Sequence, residues 1–91
     1  MKWSDTDNQD IFQTYHYMLH CQLIGEKINK NQTVKQASIR LNRSHKAIEC
    51  KLNNITAIRK KLELRDTLNG YPALANFAKS TYDAYIEYIN S

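Results

Sequence analysis

A small all-α domain of four helices is the fold class predicted for this chain, on three observations. Only two glycines and one proline interrupt 91 residues, which leaves few turns. Hydrophobic residues make up 42% and nine residues are aromatic, enough for one modest core and too much for a disordered chain. Apolar positions recur every three or four residues along most of the chain, the period of a helix face. No linker, repeat or low-complexity tract divides the sequence, so residues 1–91 read as a single domain.

The elements follow in order. Ser4, Asp5 and Asp7 suit a helix start, and Ile11, Phe12, Tyr15, Met18, Leu19 and Leu23 carry the apolar beat of helix 1 up to Gly25. The pattern lapses through residues 25–32, a loop. Thr33 and Gln36 have the spacing of a capping box, and Val34, Ala37 and Leu41 give the inner face of a short helix 2 over residues 33–42. Asn42 and Arg43 make a turn, and Ser44 caps helix 3, which runs to about Leu64 with a weak point at Asn53 and Asn54. Residues 65–72 form a second loop, and a short β wing over residues 64–72 is compatible with the pattern. Leu74, Phe77, Ala78, Tyr82, Tyr85, Ile86 and Ile89 then mark helix 4, with Pro72 just before it or in its first turn.

Charge is distributed unevenly. The net charge is +4, yet residues 27–65 hold eleven Lys or Arg against two acids, while both flanks are acidic. So lopsided a block within one domain is the footprint of a polyanion-binding face, with nucleic acid the commonest polyanion. Two cysteines without a CxxC spacing suggest neither a disulfide scaffold nor a zinc ribbon, and a reducing cytoplasm is the expected setting. The N-terminus turns acidic where a signal peptide needs an apolar run, and no window approaches a membrane span.

Two helices joined by a tight turn, the second basic, form a helix-turn-helix arrangement. In that geometry helix 3 enters the major groove of double-stranded DNA. At 100° per residue, Ile48, Leu52, Ile55 and Leu62 face the core, and Lys46, Glu49, Cys50, Asn53, Ala57 and Lys60 point outward. Lys46, Glu49 and Asn53 are the candidates for base edges, because Lys reads guanine, Glu accepts from cytosine and Asn pairs with adenine. Thr33, Lys35, Arg40, Arg43 and Lys51 are the candidates for phosphate contacts, with Ser44 and His45 at the helix 3 N-terminus and Lys60 on its outward face completing the expected interface.

The run AxxLxRSxxAIExKLxNIxA, carried by Ala37, Leu41, Arg43, Ser44, Ala47, Ile48, Glu49, Lys51, Leu52, Asn54, Ile55 and Ala57, resembles the N-terminal domains that precede HNH nuclease domains in bacterial restriction-type endonucleases. NGYPALANF is similar to that family's GYxPxxN segment, without its basic residue after GY and its following Gln. The residues up to Leu52 alone also suit a Myb or SANT-like domain. The resemblance implies a DNA-recognition module, helix-turn-helix or winged-helix-like, in some members concerned with modified bases, either joined to a C-terminal nuclease domain in a longer protein or standing alone as a relative without the nuclease.

Other chemistry is poorly represented. His16 and His20 share a helix face, but no third ligand stands at a telling distance, and Cys50 and His45 point apart. No catalytic constellation, metal site, cofactor or small-molecule substrate is expected. The main alternative is a protein-interaction module that docks through Tyr82, Tyr85 and Tyr88.

Overall fold

The computed structural model describes residues 2–74 and 76–91. It contains α1 (Asp5–Leu23), α2 (Lys30–Leu41), α3 (His45–Lys61) and α4 (Lys79–Ile89). No strand occurs among the described residues, so the fold is the expected all-α one and residues 64–72 form no wing.

α1 starts where its cap demands. The Ser4 hydroxyl accepts a hydrogen bond from the Asp7 amide at 3.1 Å, and Asp5 and Asp7 place negative charge on the positive end of the helix. α2 begins three residues ahead of the expected Thr33, because Asn29 is the stronger cap: its side chain accepts from the Gln32 amide at 3.0 Å. Thr33 instead sits inside the first turn, and its hydroxyl donates back to the Asn29 carbonyl. Asn42 ends α2 in the left-handed region at φ 53°, a conformation that asparagine tolerates better than most residues.

α3 is continuous through Asn53 and Asn54. The weak intrinsic preference of two asparagines is outweighed by Ile48, Leu52, Ile55 and Ile58, all fully buried, each contributing about 1.5–3 kcal/mol. It stops at Lys61, and Glu63 adopts φ 58° just beyond. α4 begins at Lys79, later than its apolar pattern implies, and Pro72 lies well outside it. Leu68 and Tyr71 are buried in the long return segment, and Phe77 packs against the core from it. Their apolar spacing therefore serves irregular chain laid over α3, which periodicity does not distinguish from another helical turn.

α1 and α3 each touch every other helix, whereas α2 and α4 do not touch one another. The α1–α3 pair is thus the spine, flanked on two sides. Polar bonds inside it fix the register. The Tyr15 hydroxyl and Thr56 Oγ1 are 2.8 Å apart, and the same phenol accepts from the Leu68 amide at 3.0 Å, tying the return segment to the core. Arg59 donates to the Tyr85 hydroxyl and to the Asp66 carbonyl, which anchors α4 and the return segment to the end of α3.

Candidate nucleic-acid interface

The turn between α2 and α3 is tightly built. The Asn42 and Arg43 amides return to the Ile39 and Ser38 carbonyls, the Ser38 hydroxyl donates to the Arg43 carbonyl, and Ser44 Oγ accepts from the Ala47 amide at 3.1 Å. Ser44 is therefore the cap expected of it, with its oxygen engaged by its own helix. His45 is exposed at the first helical position, and its Nε2 lies 3.8 Å from Glu49 one turn on, a loose contact between half-exposed side chains.

The outward strip of α3 is real but shorter than its pattern suggests. Lys46, Cys50, Lys60 and Lys61 are exposed, and Glu49 and Asn53 are partly covered. Ala57, expected to face out, is only 7% exposed. The return segment crosses here: Ala73, Leu74, Asn76 and Phe77 share a shallow depression with Ala57 and Lys61. Tyr71 lies close enough to Glu49 for that carboxylate to add to burial in raising its phenol pKa. Asn53 Oδ1 is enclosed without a hydrogen-bond partner. The accessible strip is thus the N-terminal half of α3 together with the two lysines near its end.

Two expected phosphate contacts face inward. Arg43 donates to Asp7 at 3.0 Å and to the Lys2 carbonyl, its side chain is 7% exposed, and its guanidinium stacks over Trp3 at 4.1 Å. That pair holds the Asp7 carboxyl below its ordinary pKa. Lys51, also 7% exposed, donates to Thr81 Oγ1 at 2.7 Å and lies 4.7 Å from the Trp3 ring centre. Helical position explains the correction: Lys51 is displaced by about 140° from Lys46 around α3, which turns it toward α4 and the N-terminal segment. Trp3 organises both cations, and sequence reasoning gave it no such role, since nothing local marks an aromatic as the platform for residues forty positions away.

The α2 candidates divide. Lys35 is exposed, while Arg40 makes a two-pronged ion pair with Asp10 of α1 at 2.6 and 2.7 Å and also donates to Thr14. The Arg40 pair clamps α1 to α2, and Thr33 lies on the groove between those helices with Asp10 and Arg40.

The residues of the rival readings have their own places. His16 bonds to the Tyr85 hydroxyl at 2.7 Å, and burial together with the Arg59 charge lowers its pKa, while His20 is exposed. No cluster of three or more His, Cys, Asp or Glu suited to a metal occurs among the described residues. Tyr85 is fully buried, whereas Tyr82 and Tyr88 are partly exposed, Tyr82 stacked on Phe77 and Tyr88 packed on Phe12 at the edge of the core. No helix is long and apolar enough to cross a membrane. No family model, curated protein or solved structure matches this chain.

Proposed function

We propose that the chain is a double-stranded DNA-binding domain in which α2, the Asn42–Ser44 turn and α3 act as a helix-turn-helix. The observation that carries this reading is the alignment of Lys46, Lys60 and Lys61. These three exposed lysines have no ion-pair partner among the described residues, and they fall within an arc of about 100° along one side of α3. They span about 22 Å of helix, a length suited to phosphates on both sides of a groove. Lys35 extends the positive surface onto α2. Lys46 and Glu49 remain the candidates for base edges, the Asn53 oxygen being enclosed, while Lys35, Lys60 and Lys61 serve phosphates. The sequence resemblance to the domains ahead of HNH nucleases supports the same reading, as the target-recognition domain of an HNH-type restriction endonuclease or a stand-alone relative of one.

Titration against labelled duplexes at two salt concentrations, unmodified and cytosine-methylated or hydroxymethylated, tests this. Binding should weaken steeply with salt through counterion release. Lack of binding to every duplex at low salt would sink the proposal.

A further inference from the structure

The starts of α1 and α4 and the middle of α3 enclose a second group of side chains that duplex binding leaves unused. Lys51 is almost wholly buried, yet no carboxylate lies within ion-pair distance of it among the described residues; a threonine hydroxyl and the Trp3 ring are its neighbours, and Arg43 adds like charge. A buried cation without a counter-charge is costly, and an anion removes that cost. α4 starts beside it on Ala78, which offers no side-chain cap; the Thr81 amide returns to the Ala78 carbonyl, and the Lys79 and Ser80 amides stand at the positive end of the helix. Lys51, Asn8, Thr81, Ser80 and Trp3 border one cavity of about 320 Å³. Asp5 is the one acid on its lining; it is exposed, and the N-terminus of its own helix offsets its charge.

We propose that this cavity binds a single phosphate-class oxyanion, held by the Lys51 ammonium, the leading amides of α4 and the hydroxyls of Ser80 and Thr81, against the wall made by Trp3. Burial holds the Lys51 pKa at about 8, so the ammonium is largely charged at neutral pH and available to the anion. The site lies around α3 from the Lys46–Lys61 strip, so the bound group is a free phosphate or phosphate ester rather than the backbone of the duplex on that strip.

Trp3 is the only tryptophan, and its intrinsic fluorescence reports the cavity directly. Inorganic phosphate titrated at constant ionic strength should change that fluorescence saturably, chloride should not, and Lys51→Met should weaken the response by about tenfold or more while leaving the helical circular dichroism unchanged. In the unaltered protein, amide resonances of Lys79, Ser80 and Thr81 should shift with phosphate and those of Lys60 and Lys61 should not, a readout that does not depend on any variant folding. A saturating short duplex should leave phosphate binding intact. An equal response to chloride, or amide shifts spread over the lysine strip, would overturn the proposal. Displacement of phosphate by the duplex would overturn the separateness of the site, and failure of duplex binding alone would leave it standing.

Discussion

At the scale of single residues, helical geometry separates cations that serve the fold from those open to a partner. Lys51 is the plainest case. Its folded pKa, lowered from 10.5 to about 8 by burial and by Arg43, sets a stability profile with a definite sign. Between about pH 8 and pH 10 the unfolded chain holds a proton on Lys51 that the folded chain has lost, so folding gains stability as pH rises through that window. Above it the trend should reverse, because burial raises the pKa values of Tyr71 and Tyr85, and the unfolded tyrosines ionise first. Lys51→Met should remove the rise and, below pH 8, leave the domain as stable as the parent or up to about 3 kcal/mol more so. Urea denaturation at several pH values checks this; an unchanged profile would mean that Lys51 is well solvated. Arg43 behaves in the opposite way. Arg43→Ala strips Asp7 and the Lys2 carbonyl of their donor and uncovers Trp3, so thermal melting should fall by roughly 5 °C or more.

The helices themselves show which signals are local. Ser44 was readable as a cap because N-capping depends on adjacent residues, and its hydroxyl makes that bond. Ser44→Ala should cost about 1 kcal/mol of unfolding free energy. α4 presents the converse: Ala78 leaves its start uncapped, so Ala78→Asp should gain roughly 0.5–1 kcal/mol, measured by the same denaturation, while its carboxylate should weaken phosphate binding at the neighbouring cavity. The core faces of α1 and α3 were equally legible, Ile11, Phe12, Tyr15, Ile48, Leu52 and Ile55 all being buried where their spacing places them. Illegible were the features made by chain distant in sequence. The start of α4 was misplaced because Phe77, with helical spacing, packs from irregular chain, and Ala57 was assigned to solvent because nothing in α3 announces the segment that covers it. Similarly, Arg43 and Lys51 carry no local mark of the tryptophan that gathers them.

Over the whole molecule, the central surplus of positive charge divides into two populations with different work. Arg43, Lys51 and Arg59 turn their charged groups onto Trp3, Thr81, Tyr85 and backbone carbonyls, and Arg40 is held by Asp10. A count along the sequence therefore overstates the surface available to a polyanion: on α2 and α3 the exposed Lys35, Lys46, Lys60 and Lys61 are the residues on which a duplex would act, with Lys27 and Arg65 exposed on the flanking loops. This partition has a thermodynamic signature. Each cation that neutralises a phosphate contributes about one to the slope of log K against log salt. Lys60→Ala and Lys61→Ala should each lower that slope by about one and weaken every duplex alike. Arg43→Ala and Lys51→Met should leave the slope unchanged, whatever they do to stability. Fluorescence anisotropy at four or more salt concentrations resolves these slopes. A loss of slope in Arg43→Ala equal to that in Lys60→Ala would move the interface to the Trp3 side of α3, and unchanged slopes in all four charge variants would remove α3 from the contact altogether.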